Sequence, residues 1–250
     1  MEALREVWHR VVTEQPPPST GVVAATVAVA ALLVLAPGAW PVARHVVTIA
    51  HEGAHGFAAW ATGRQLAGIR LHSDTSGVTV SRGRPRGLGM VVTVAAGYLG
   101  PTLLGLVAVW LLGAGHAVAL LWILLLLLAL LLVQIRNWFG LWSVLVSGVV
   151  VFAVSWLLPE QQQSAFAYLV TWFLLAAAPR PVLELQAMRW RGQAHGSDAD
   201  QLARLTGVPA VVWVGGFLVV TVAALGLGLW WLLDASPASV LGVLPELSRS

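Results

Sequence analysis

Two histidines and a glutamate carry the clearest chemistry in this chain. They stand as His51-Glu52-Gly53-Ala54-His55 within an apolar stretch. On a helix, His51 and His55 are one turn apart, so both imidazoles leave the same face and can fill two corners of a tetrahedral zinc site. Glu52 beside them can act as general base on a metal-activated water. The plainer alternative is a hydrogen-bonded polar cluster between helices. Three ionisable residues in one turn are a costly glue, however, because even a lenient insertion scale charges roughly 2.5–3.5 kcal/mol for one such group at a membrane helix centre. The chain contains no cysteine, so any metal here is held by nitrogen and oxygen.

The elements that must position these residues belong to a membrane. Of 250 residues, 58% are apolar and 10% charged, and the mean hydropathy is +0.81. A soluble domain is roughly 25% charged. The reading is an all-α polytopic membrane protein with about seven transmembrane helices, near 21–36, 41–61, 88–112, 116–134, 138–158, 164–178 and 208–233. Residues 1–20 form a polar N-terminal segment, 21–233 a single membrane-embedded domain and 234–250 a tail. Alternating and β-branched residues flank a turn-rich centre at His72-Ser73-Asp74-Thr75-Ser76-Gly77, which predicts a small β-hairpin near 66–82 at the cytoplasmic surface. Glu52 is then the one acidic residue inside a span.

All 14 basic residues are arginine. If the N-terminus and the segments 62–87, 135–137 and 179–207 share a side, every arginine except Arg44 and Arg249 falls there, opposite loops at 37–40, 113–115 and 159–163. The positive-inside rule makes that side cytoplasmic, with the N-terminus inside and an odd number of spans. Of the 13 tryptophans, Trp40, Trp60, Trp110, Trp138, Trp156, Trp190 and Trp231 lie near predicted span ends, as an aromatic belt in the lipid bilayer.

With the hairpin following the His51-Glu52-x-x-His55 helix, and Ala95-Ala96-Gly97-Tyr98-Leu99-Gly100-Pro101 in the next span, the sequence resembles the site-2 protease family of membrane-embedded zinc metallopeptidases, in its compact bacterial branch. The resemblance is best over residues 41–112. It implies a multi-pass protein of the bacterial cell membrane that binds zinc and hydrolyses peptide bonds of transmembrane protein or peptide substrates, with Glu52 as general base. Family members usually add an aspartate ligand from an Asn-x-x-Pro…Asp-Gly stretch in a later span. Here Arg136-Asn137-Trp138-Phe139-Gly140 keeps the asparagine and lacks both proline and aspartate.

Asn137 is therefore expected to bind substrate main chain or to cap a helix. The third zinc ligand must come from elsewhere. Asp198 is the first choice, in a loop on the side to which the His55 end of its helix points, and Ser197 or Asp198 can equally be a helix N-cap. Asp200, His195 and Asp74 are the alternatives. The missing aspartate also motivates a second reading, a non-proteolytic membrane adaptor or chaperone that keeps the metallopeptidase scaffold. A transporter using Glu52 and the histidines as a relay is a third, which lacks paired broken helices. No phosphate loop, dinucleotide fingerprint or separate basic surface points to nucleic acid. Substrate identity and oligomeric state are not encoded in any recognisable pattern.

Overall fold

The computed structural model describes residues 2–194 and 196–234, without the side chains of residues 2–4, 6, 233 and 234. Among these residues, ten helices and one two-stranded sheet follow in the order α1 (Glu2–Val12), α2 (Thr20–Leu35), α3 (Trp40–Ala61), β1 (Gln65–Leu71), β2 (Gly77–Arg82), α4 (Leu88–Gly113), α5 (Ala117–Gln134), α6 (Trp138–Leu157), α7 (Glu160–Ala177), α8 (Pro179–Trp190), α9 (Asp198–Thr206) and α10 (Ala210–Asp234). The mainly helical class and the antiparallel hairpin agree with the sequence reading.

The count of seven spans does not carry over. Five helical stretches among the described residues are long and apolar enough to cross a bilayer, one being α7 and α8 together over Glu160–Trp190, 31 residues. The segments expected as the first two spans, α2 and α3, are a pair bent by 98° that makes at most one further crossing. The bend has a local cause. Pro37 disfavours helical geometry at the residue before it, and Ala36 is extended at φ −70°, ψ 124°. The expected loop 179–207 is largely helical as α8 and α9. Glu184, which falls within that stretch on α8, therefore joins Glu52 as an acidic residue within the helical bundle.

α4 runs antiparallel to α3, which fixes where the His-Glu-x-x-His motif sits. Gly100 lies against Ala50 and Ala54, Gly97 against His51 and His55, and Gly89 against Thr62. The small residues permit close helix approach of the kind common in membranes. The hairpin then folds back along α3 instead of lying flat at a surface. Its tip reaches Thr48, whose hydroxyl donates to the Thr75 carbonyl at 2.9 Å. Ile49 of α3, Ile69 and Leu71 of β1, Ile135 and Val144 form the apolar cluster that holds it there.

The ends of the bundle group the segments differently from the sequence reading. At one end the Gln15 amide donates to the Gly115 carbonyl at 2.8 Å, the Val118 amide donates to Gln15 Oε1 at 3.1 Å, and Arg10 faces Glu160 at 3.9 Å. Trp231, late in α10, packs beside Gly113 at the same end. The hairpin root, Ile135–Asn137 and α9 lie at the other. The N-terminal segment thus shares an end with 113–115 and 159–163, not with 62–87. Counting α2 and α3 as one crossing gives six, and an even number returns α10 to the end where the N-terminal segment sits. Arg44 and Arg180, assigned to opposite sides, both contact Glu184, at 3.4 Å and 3.3 Å.

Candidate metal centre

The centre is built on the middle of α3. His55 is buried, and its Nδ1 lies 2.7 Å from the Thr93 carbonyl oxygen. A carbonyl only accepts, so Nδ1 carries a proton and Nε2 is the ring atom turned towards the site. His51 Nε2 lies 3.1 Å from His55 Nε2. The His51 ring meets Tyr98 edge to face at 4.9 Å, and Tyr98 in turn stacks on Phe217 of α10 at 5.1 Å. Gly97 makes the room for this arrangement. A Cβ there would sit 2.6 Å from His51 Cε1 and Nε2 and closer still to His55 Nε2.

Asp198 completes a triangle. Its Oδ2 is 3.2 Å from His51 Nε2 and 3.2 Å from His55 Nε2. Ligand atoms about 2.0–2.1 Å from a tetrahedral zinc are about 3.3–3.4 Å apart, so three atoms with mutual separations of 3.1–3.2 Å match three corners of such a site. Two imidazoles and a carboxylate are also donors that zinc favours. Burial pushes the Asp198 carboxyl up, but hydrogen bonds and charge from His51 and His55 outweigh it and hold the group below the ordinary carboxylate range. It is thus an anion, the form a metal needs.

Glu52 stands beside this triangle. The residue is 4% exposed, and its carboxylate lies with the two imidazoles in a group whose candidate ligand atoms fall within 4.8 Å of one another. Thr79 of β2 donates to Glu52 Oε2 at 2.6 Å. Gly77 leaves space for the same carboxylate, since a Cβ there would come within 2.7 Å of Glu52 Cδ and Oε1. The hairpin therefore holds the one acidic group on α3.

The other candidates are engaged elsewhere. Asp200 pairs with Arg189 at 2.5 Å; burial pushes its carboxyl up, and this contact with the Ser197 bond brings it net below the usual range. Asp74 accepts from the Ser76 hydroxyl at 2.6 Å and amide at 3.0 Å, bonds that lower its pKa within the hairpin tip. His195 lies outside the described residues. Asn137 stands at the start of α6 without a capping bond. Its Nδ2 donates to the Leu71 carbonyl at 2.6 Å, and its Oδ1 accepts from the Leu71 amide at 3.1 Å. Together with the Arg136 amide donating to the Ile69 carbonyl at 2.9 Å, it covers the outer edge of β1.

A family model described as Peptidase M50B-like matches residues 24–228. The chain belongs to this family. It is therefore a site-2 protease-like chain and a multi-pass membrane protein, and membership agrees with a peptidase built around the His-Glu-x-x-His group. No curated protein and no solved structure matches it. Within the family's motif, sequence reasoning found His51, Glu52 and His55. The contacts of Thr79, Thr93 and Gly97 with these groups are not legible there, because a hydroxyl, a carbonyl and a missing Cβ have no spacing signature. Tyr98 stands in the Gly-Pro span, and only the fold brings its ring to His51.

Proposed function

We propose that the protein is an intramembrane zinc metalloendopeptidase that cleaves transmembrane protein or peptide substrates, with His51, His55 and Asp198 as metal ligands. The observation that carries this is the triangle of His51 Nε2, His55 Nε2 and Asp198 Oδ2, with edges of 3.1–3.2 Å beside a buried glutamate. Held by these three residues, a zinc ion would supply Lewis acidity, which lowers the pKa of a bound water and polarises a carbonyl.

The chain's own groups do the rest. Glu52 takes the proton from the attacking water and returns it to the leaving amine. Thr79 holds the Glu52 carboxylate by its 2.6 Å bond, so the base is fixed before substrate arrives. The Thr93 carbonyl fixes the tautomer of His55. A helical substrate shields its peptide bonds and must be extended to be cut. The outer edge of β2 has no main-chain partner among the described residues, whereas that of β1 is covered. An extended substrate strand adding to β2 would run past Thr79, beside Glu52.

By the positive-inside rule the end bearing Arg64, Arg82, Arg84, Arg86 and Arg136 faces the cytoplasm. Asp198 supplies the carboxylate whose absence from the usual span motivated the adaptor reading, so hydrolysis is the better account. In proteoliposomes with a transmembrane peptide containing an extended, helix-breaking segment, Glu52→Gln is expected to retain zinc and to cut about 10²–10⁴-fold more slowly. Full turnover by that variant would sink the proposal.

A further inference from the structure

The third carboxylate reaches the metal centre on a helix outside the membrane bundle. α9 is 9 residues long and begins at Asp198 itself. A helix this short has no stability of its own in water, so contacts made elsewhere must hold Asp198 against His51 and His55. Two kinds exist. Ala199 and Leu202, both fully buried, dock on Val94, Val182, Leu185, Val214 and Phe217. The second is polar: Arg189, in the last turn of α8, bonds Asp200 Oδ1 at 2.5 Å, while the Asp200 amide donates to Ser197 Oγ at 3.3 Å. The segment is bounded by Gly192, Gly196 and Gly207 at φ of 70°, 81° and 75°, backbone conformations that leave α9 joined to the spans only by turns.

We propose that Arg189 and Asp200 are positioning residues for the metal centre, clamping α9 so that Asp198 meets the two imidazoles. The pair touches neither imidazole and acts through the helix. This rests on Asp198 being a ligand. Docking of α9 and metal affinity are then linked, and the linkage is reciprocal: whatever loosens the helix weakens zinc, and zinc tightens the helix. Undocking α9 removes a ligand without disturbing any membrane span, so this clamp sets how firmly the centre holds its metal.

The test uses the full-length protein in detergent, with Zn²⁺ alone as probe, titrated against a chromophoric chelator. Arg189→Gln and Asp200→Asn are each expected to weaken zinc binding about 10–100-fold, the usual effect of losing an outer-shell partner. The charge-swapped double variant Arg189→Asp/Asp200→Arg should recover most of that loss. Arg204→Gln, which removes an exposed charge at the other end of α9, should change nothing and controls for long-range electrostatics. Hydrogen exchange over 198–206 should slow on zinc addition in the wild type and be faster in Arg189→Gln at matched zinc. If Asp198→Ala loses zinc while Arg189→Gln and Asp200→Asn bind like Arg204→Gln, the clamp is overturned and the ligand assignment stands. If Asp198→Ala keeps full zinc affinity, the ligand assignment fails and the clamp falls with it.

Discussion

A carboxylate between two imidazoles is worth most where water is scarce. Asp198 has a side chain 16% exposed and is shared by His51 and His55, whose side chains are 20% and 10% exposed. Asp198→Ala should abolish zinc retention, measured by metal analysis after dialysis. Asp74→Ala should leave it intact, because that carboxylate is already held by Ser76 in the hairpin tip. Equal zinc in the two variants would remove Asp198 from the ligand set. Gly97 supplies the complementary test. A methyl group there meets both imidazoles, so Gly97→Ala should lose zinc although it alters no ligand. Gly100→Ala, which meets Ala54 instead, should act mainly on thermal stability by forcing α3 and α4 apart.

At the scale of elements, the hairpin is the piece that joins the proposed base, the helix of His51 and His55 and the proposed substrate edge. It is anchored on both flanks. Thr48 and Glu52 of α3 hold it through Thr75 and Thr79, and Asn137 grips the Leu71 main chain with both atoms of its amide. Asn137→Ala strands a donor and an acceptor of β1 in a partly buried setting, each worth about 1–3 kcal/mol when left unmade. A drop in thermal stability of that order is expected, with faster amide exchange in β1. Unchanged exchange in 65–71 would mean that the amide does not anchor the strand. α8 contributes an anchor of a different kind. The Trp40 indole donates to Glu184 at 2.7 Å, Arg44 and Arg180 flank the carboxylate, and Arg180 lies 4.4 Å above the Trp40 ring. An acidic group inside the bundle is thereby paired twice, as the low dielectric demands.

Over the whole molecule, the decisive relation is which ends share a side. The contacts of Gln15 with Gly115 and Val118, and of Arg10 with Glu160, put the N-terminal segment at the end opposite the hairpin root. Single cysteines at Arg5 and Gln161, added to this cysteine-free chain, should therefore react with an impermeant thiol reagent from the same side, and one at Arg84 from the other. Labelling of residues 5 and 84 from one side would contradict the packing. Much of the design is written in the chain itself. Scarcity of charge dictates a membrane fold, because apolar runs of this length have no other stable setting. The one-turn spacing of His51 and His55 dictates a shared helix face, and the turn-rich segment between β-branched runs dictates a hairpin. These signals are local, and local periodicity carries them. Which segments share an end is not legible locally, because a helix and a crossing are different things. The break at Pro37 bends α2 from α3, while α7 and α8 join into one long stretch, and neither outcome changes local hydropathy. The third carboxylate is further still from sequence view. Asp198 lies 143 residues beyond His55 and meets it only because α9 docks on α4, α8 and α10. Sequence determined which residues can bind a metal. Tertiary packing decided which of the competing carboxylates arrives there, since only packing brings distant atoms to bonding distance and turns the others towards Arg189 and Ser76.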